Sequence, residues 1–370
     1  MKLHIPDHIA AITPYPPGKP IEELEREYGI SGSIKLASNE NPLGPSPLAI
    51  QAIAESLSGL HRYPDGSGYY LTKAIAGHLG LAPEQVVLGN GSNEIIEFLV
   101  KAFVQTGDEV ITSHPSFLMY QKFVQIRGGV NHVVPLRNMT HDLDAIVGLV
   151  SDRTRLIFLD NPNNPTGTMI AAKRFDAFLA RLPEQVIVVL DEAYVDFAEE
   201  EHRLDTCSLV TARDGRCAVV ALRTFSKAYG LAGLRVGYCF SAAEIAACLH
   251  KVRQPFNINQ LALVGARAAL DDVAFYRQTL ETTNAGKRML MAGVEALGCR
   301  SYPSQTNFFL IDVGGSATVL YEAMLLKGVI VRSMQAYGFP QCIRITVGTA
   351  AENERFLAAL SECLRECGYV

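Results

Sequence analysis

Lys227 is the first group in this chain that could do covalent chemistry. It closes the segment Ala221-Leu222-Arg223-Thr224-Phe225-Ser226-Lys227, where an apolar run ends in hydroxyls and an amine. A lysine at the end of a strand can be desolvated, which lowers its pKa and makes it nucleophilic. Gly230 and Gly233 follow closely, so the backbone has room to approach a ligand, and Arg235 lies eight residues on. A surface lysine is the plain alternative, and spacing alone leaves it open.

Three more segments end in polar groups of the same kind. Val188-Val189-Leu190-Asp191-Glu192-Ala193-Tyr194 is an apolar run ending in acid. Ligands of open parallel sheets bind beyond the carboxyl ends of strands, which is where Asp191 and Tyr194 would stand. A helix N-cap is the alternative for Asp191. Asn161 to Gly167 reads NPNNPTG, and each proline restricts the asparagine before it to extended backbone. Asn164 could thus aim its amide at a ligand; an ordinary loop is the alternative. Arg344 sits in CIRITVG, and an arginine in such apolar company needs a partner or an anionic ligand.

The stretch VVLGNGSNE imitates a dinucleotide fingerprint. Its third glycine is missing, because Glu94 takes that place, and the next strand ends in Thr112-Ser113-His114 rather than in an acid. What survives is a glycine turn at Gly91 delivering Ser92 and Asn93 to a helix N-terminus. Free N–H groups and the helix dipole there suit one phosphate.

The elements that must position these groups follow from hydrophobic patterning. Apolar runs at Val86–Leu88, Glu109–Thr112, His132–Leu136, Leu156–Leu159, Val186–Leu190, Ala218–Leu222 and Arg235–Phe240 alternate with amphipathic stretches such as Glu94–Gln105 and Ala171–Arg181. Continuous apolar strands separated by helices predict an α/β fold with a mostly parallel sheet covered on both faces. After Asn257 the pattern changes to helices at Gln260–Leu270 and Val273–Leu297 and strands near Asn307–Asp312, Val329–Arg332 and Arg344–Thr346, then a helix from Glu352. This predicts a smaller α+β lobe. The expected division is 1–45 as an arm and part of the small domain, 46–256 as the large domain, and 257–370 as the small C-terminal domain. The first 30 or so residues read as an irregular proline-rich arm, with Glu22 to Glu27 as a solvated helix face.

Composition excludes several classes. The chain has 370 residues, 48% hydrophobic and 19% charged, with net charge -5. No basic excess suits nucleic acid, and no apolar run suits a membrane span or signal peptide. The eight cysteines include no CxxC pair, and no metal site is expected. Cys363 and Cys367 read as two reduced thiols on one helix, which places the chain in the cytoplasm.

The motifs taken together resemble the fold-type I pyridoxal-phosphate-dependent aminotransferases of class I/II. The resemblance rests on ITPYPPGKP, LASNENPLGPSP, HRYPDGSG, GNGSNEIIE, NPNNPTG, DEAY, TFSKAYGLAGLR, SQTNFF and IRITVGT, and it spans nearly the whole chain. It implies a large domain built on the parallel sheet plus a smaller α+β domain. It also implies pyridoxal 5'-phosphate as cofactor, held by Lys227 as a Schiff base. Asp191 would pair with the pyridine nitrogen, while Asn164 and Tyr194 would meet the phenolic oxygen. Phe117 would stack on the ring, a place where relatives often carry tyrosine. Gly91, Ser92, Asn93, Thr224, Ser226 and Arg235 would hold the phosphate. Tyr63 would reach the phosphate of a neighbouring subunit, which implies a homodimer with shared sites.

The arm and the NENPLGPSP stretch are similar to the histidinol-phosphate branch of that family. The substrates implied are histidinol phosphate and 2-oxoglutarate, giving imidazole acetol phosphate and glutamate in histidine biosynthesis. Arg344 would hold the substrate's anion, with Tyr15, Arg332 and Asn39 as further substrate contacts. An aromatic-amino-acid aminotransferase, or a dual activity, and a phospho-amino-acid decarboxylase share these motifs. A nicotinamide oxidoreductase and a non-catalytic ligand sensor are the readings from other classes.

Overall fold

A computed structural model describes residues 3–14, 19–212 and 217–369. The strands are β1 Ile34–Lys35, β2 Val86–Gly89, β3 Glu109–His114, β4 Val130–Pro135, β5 Thr154–Asp160, β6 Ile187–Asp191, β7 Ala218–Thr224, β8 Gly237–Phe240, β9 Arg300–Ser301, β10 Phe308–Asp312, β11 Val329–Ile330, β12 Arg332–Ser333 and β13 Cys342–Thr346. Seven of them form one sheet in the order β2-β8-β7-β6-β5-β3-β4. Only β8 runs against its neighbours; the remaining pairs are parallel.

The predicted double-sided cover is present, and the side-chain period of two produces it. Val188 and Leu190 of β6 enter one core with Ile157 and Leu159 of β5 and Val219 and Ala221 of β7. Ile187 and Val189 enter the opposite core with Leu156, Phe158, Val220 and Leu222. Helices 69–79 and 172–179 cover the first face, and helices 92–103 and 243–252 cover the second. Burying both faces of three adjacent strands makes their shared carboxyl edge rigid.

The remaining strands build a second layer. The antiparallel order is β12-β13-β10-β9, and its core includes Phe309, Ile311, Ile343, Ile345, Phe356 and Leu360. β1 pairs with β11 in parallel, which carries Leu36 into that same core. The last helix, Ala350–Glu366, starts two residues before the expected Glu352 because Thr349 and Glu352 form a capping box.

Two expectations change. The arm is not irregular throughout: Asp7–Ala10 and Ile21–Tyr28 are helical, and the second buries Leu24. Helix Gln260–Asp271 packs Ala262, Leu263, Ala266 and Ala269 into the large-lobe core. We therefore propose that the large lobe runs to residue 271, not 256. Asp272 is the pivot: its carboxylate caps the helix that starts at Val273 and accepts from Ser46 Oγ at 2.6 Å. Among the described residues no helix is long and apolar enough to cross a membrane. All eight cysteines are free thiols.

Candidate active site

Three strands end together. Asp160 of β5 pairs in register with Asp191 of β6, and β7 runs two residues further to Thr224. Helix Ser92–Phe103 points its N-terminus at the same edge, with Gly91 at φ +79 as a cap that brings no side chain. The glycine is needed there, since a Cβ on Gly91 would lie 2.6 Å from the Arg235 guanidinium. Gly237 of β8 is needed too, since its Cβ would lie 2.5 Å from Ser92 N.

These elements enclose a cavity of about 230 Å³. Ten of the expected residues line it: Ser92, Asn93, Phe117, Asn164, Asp191, Tyr194, Thr224, Ser226, Lys227 and Arg235. One end offers groups that suit a phosphate. It has a helix N-terminus, the coupled hydroxyls of Thr224 and Ser226 (3.0 Å apart), and the Arg235 cation at the rim. The Asn93 amide oxygen is buried with no hydrogen-bond partner, but as an acceptor it calls for a donor; it is the N–H groups of the helix N-terminus that suit a phosphate.

The opposite end holds the acid. Asp191 Oδ2 accepts from Tyr120 Oη at 2.8 Å, and Oδ1 accepts from Ala193 N at 3.1 Å. Burial pushes its pKa up to about 7, and the nearby Asp160 charge pushes the same way, while Tyr120 and Ala193 hold it down. A carboxyl so placed lacks a cation, which a protonated ring nitrogen would supply. Between the two ends stands Lys227, half-buried, with Nζ 3.3 Å from Ser38 O and 5.6 Å from the centre of the Tyr194 ring. Burial pulls its pKa down to about 8, helped by the Arg344 charge and opposed by Glu40.

Tyr194 is buried edge-on against Phe308, and burial raises its pKa to about 12. Arg344 stands at the centre of β13 with its guanidinium 5.0 Å over the Phe308 ring. It donates to Asn164 Oδ1, and its other terminal nitrogen donates to Ala37 O at 2.8 Å. The anion-binding candidate is thereby joined directly to a side chain lining the cavity.

Four expected residues lie elsewhere. Asn39 sits behind Tyr194 rather than on the cavity wall, giving its Nδ2 hydrogen to the Tyr194 oxygen at 3.0 Å. Arg332 faces Arg344 across the β12–β13 pair but lines a separate hollow with Lys19 and Tyr321. Tyr63 is 84% exposed and stacks on Phe256 at 4.9 Å, away from the cavity of its own chain. Tyr15 lies outside the described residues.

Sequence reasoning missed Tyr120, Asp160, Ser38 and Glu40, all of which line the cavity. Asp160 carried a signal, since Arg155-Leu156-Ile157-Phe158-Leu159-Asp160 ends in acid just as β6 does. Its carboxylate accepts from Ser116 Oγ at 2.7 Å, Asn163 Nδ2 at 3.1 Å and Asn164 N at 2.8 Å. It holds the NPNNPTG loop in place. Tyr120 is fully buried and stacks on Phe158 at 4.8 Å. Tyr120→Phe keeps that stacking and deletes one donor to Asp191. The donor favours the ionised carboxyl, so the loss in stability is larger above pH 7 than below. We expect about 1.5–3 kcal/mol at pH 8 and less at pH 5, read by urea denaturation of the cofactor-free protein. An equal loss at both pH values would contradict the assignment.

Residues 31–360 match the model of the family "Aminotransferase class I and II". A histidinol-phosphate aminotransferase of Desulfotalea psychrophila is 64% identical over 370 residues, covering 100% of this chain and 98% of that protein. One from Moorella thermoacetica is 46% identical over 96% of this chain and 92% of its own. Among solved structures, histidinol-phosphate aminotransferase from Sinorhizobium meliloti in complex with pyridoxal-5'-phosphate superposes with TM-score 0.90 at 29% identity, covering 99% of each chain.

Proposed function

The chain belongs to the class I and II aminotransferases, and from that premise we propose that it exchanges an amino group between histidinol phosphate and 2-oxoglutarate in histidine biosynthesis. The products are imidazole acetol phosphate and glutamate. The cofactor is pyridoxal 5'-phosphate, seated between Ser92 and Asp191 and held at Lys227. The observation that carries the reading is Lys227 itself. Its amine shares one cavity with a buried carboxyl at one end and a helix N-terminus with hydroxyls and an arginine at the other. The substrate identity rests on the 64% identity to the Desulfotalea psychrophila enzyme over the full chain.

When bound, pyridoxal phosphate supplies an electron sink for the charge left at the substrate carbon as its proton departs. The chain's own residues do the rest. Ser92, Asn93, Thr224, Ser226 and Arg235 grip the phosphate and fix the cofactor's orientation. Asp191 would offset the charge of a protonated ring nitrogen, and that pairing would favour its ionised form. Asn164 and Tyr194 donate hydrogen bonds toward the phenolic oxygen. Lys227, whose pKa burial lowers to about 8, would take a proton from the substrate carbon at Nζ and return it to the carbon on the cofactor side of the substrate nitrogen. Arg344 binds phosphate or α-carboxylate in turn, because its planar fork matches both. Arg332, opposite Arg344 on the neighbouring strand, is the proposed second contact for a substrate phosphate that reaches past the cavity, and the same part proposed for Tyr15 falls on a residue outside the described ones.

Two measurements test the reading. Purified protein loaded with pyridoxal phosphate is yellow and bleaches with borohydride, whereas Lys227→Ala cannot be reduced onto the cofactor. Turnover on histidinol phosphate with 2-oxoglutarate exceeds that on phenylalanine or tyrosine. The reverse order would assign the chain to the aromatic enzymes, and carbon dioxide release would make it a decarboxylase.

The active form we propose is a homodimer in which Tyr63 serves the neighbour's cofactor phosphate. Its exposure supports this, as do the exposed apolar neighbours Leu57, Leu60, Tyr69 and Tyr70. Tyr63→Ala and Lys227→Ala proteins, each weak alone, regain activity when unfolded and refolded together. Random pairing makes half the dimers hybrid, each with one complete site, so recovery reaches about a quarter of the parent. No recovery would rule out sharing. The cytoplasm is the proposed compartment, supported by the eight free thiols.

A further inference from the structure

Asn39 adopts φ +55, the left-handed region that asparagine tolerates better than most residues with a side chain. It is 2% exposed. Its amide is held at both ends. Asn39 N donates to Thr346 Oγ1 at 2.9 Å. The Thr346 hydroxyl returns its own hydrogen to Asn39 Oδ1 at 3.0 Å. Asn307 Nδ2 donates to Asn39 O at 3.2 Å. Because Oδ1 is taken as an acceptor, the other end of the amide must be the donor. That end is Nδ2, aimed at Tyr194 Oη at 3.0 Å.

In this order the Tyr194 oxygen is an acceptor. The hydroxyl hydrogen must therefore go elsewhere, and the cavity lies on the free side. We infer that Asn39 is a positioning residue for Tyr194: it occupies the phenol oxygen and thereby turns the hydroxyl hydrogen toward the cofactor's phenolic oxygen. The inference rests on the proposed function, which puts pyridoxal phosphate in this cavity. It also gives the left-handed backbone a purpose, since that conformation makes the reciprocal pair with Thr346 and the reach to Tyr194 compatible. Thr346 is two residues from Arg344 on β13. The strand carrying the anion-binding arginine is thus tied to the phenol that acts on the cofactor.

The test reads the pH midpoint of the visible band in the holoenzyme. Asn39→Gly keeps the left-handed backbone and deletes only the side chain. Asn39→Asp keeps the shape and replaces the donor with an acceptor that competes for the Tyr194 hydrogen. Losing the hydroxyl's donation makes the phenolic oxygen a worse home for negative charge, so the midpoint rises by about one pH unit in both variants. Tyr194→Phe rises similarly, and adding Asn39→Gly to it moves the midpoint no further, because Asn39 acts only through the phenol. We expect kcat to fall about tenfold with little change in KM. A parent midpoint in Asn39→Gly, or an equal further rise in the Tyr194→Phe background, would overturn the inference while leaving the proposed function intact. A parent protein with no visible band would remove both.

Discussion

Lys227→Ala lowers kcat by about 10⁴-fold, the upper end of what a positioned acid–base group contributes. The large figure follows from double duty. The amine both holds the cofactor and moves the proton, and the other acidic side chains of the cavity are poorly placed to replace it: the carboxyls of Asp160 and Asp191 are engaged at the sheet edge, Glu40 pairs with Lys35 at 3.5 Å, and Tyr194 has a pKa near 12. The variant still folds. Burial pulls the Lys227 pKa down to about 8, below its ordinary 10.5. A group lowered in this way favours folding above pH 10.5 and loses that contribution as pH falls through 8. At pH 7 the cofactor-free parent therefore carries a penalty that alanine lacks, and the variant melts at least as high. Single-turnover kinetics and a melting curve at pH 7 check the pair. A rate within tenfold of the parent would sink the assignment of Lys227.

Asp191→Asn is the second large effect. With the carboxylate replaced by a neutral amide, the ring nitrogen loses its counter-charge, and kcat falls by about 10²–10³-fold, the scale of one preorganised electrostatic contact. The stability signature is opposite in sign. The Asp191 pKa rises from 3.8 to about 7 on folding because burial disfavours its charge. The folded chain therefore holds that proton more tightly than the unfolded one. The contribution to stability is complete below pH 3.8 and is lost as pH climbs to about 7. Asparagine does not titrate, and its oxygen can still accept one of the two bonds from Tyr120 and Ala193. Cofactor-free Asp191→Asn should then gain on the parent between pH 4 and pH 8, by a ceiling of about 4 kcal/mol. Urea unfolding across that range measures it. A gain that does not grow with pH would mean that Asp191 is not a buried, cation-starved carboxyl.

Much of this arrangement is legible in the chain because local rules carry it. Unbroken apolar runs mark β5, β6 and β7, since a strand buried on both faces can afford no polar alternation. Residues at the ends of such strands share one edge, which groups Asp191 with Thr224, Ser226 and Lys227. The GNG segment is legible in the negative as well. Glu94, where a fingerprint has glycine, accepts from Asn90 N at 2.6 Å and Asn257 Nδ2 at 2.7 Å, closing the turn on itself.

Other features depend on contacts that no local pattern encodes. Nothing in the local sequence singles out Tyr120, which folding sets against Asp191, 71 residues away. Asn39 reads as a wall of the pocket until Thr346, 307 residues on, fixes which end of its amide meets Tyr194. We place the helix 260–271 in the large lobe for a similar reason, since the core that receives its apolar face is set by packing. Strand period and glycine turns, which act over a few residues, mark the sheet and its polar edge in the sequence, and the family resemblance of the motifs is what singles out Lys227 there. Only the tertiary structure supplies the burial that raises the Asp191 pKa and the amide that meets the Tyr194 oxygen. Both depend on burial and on hydrogen-bond partners that the fold draws from distant parts of the chain.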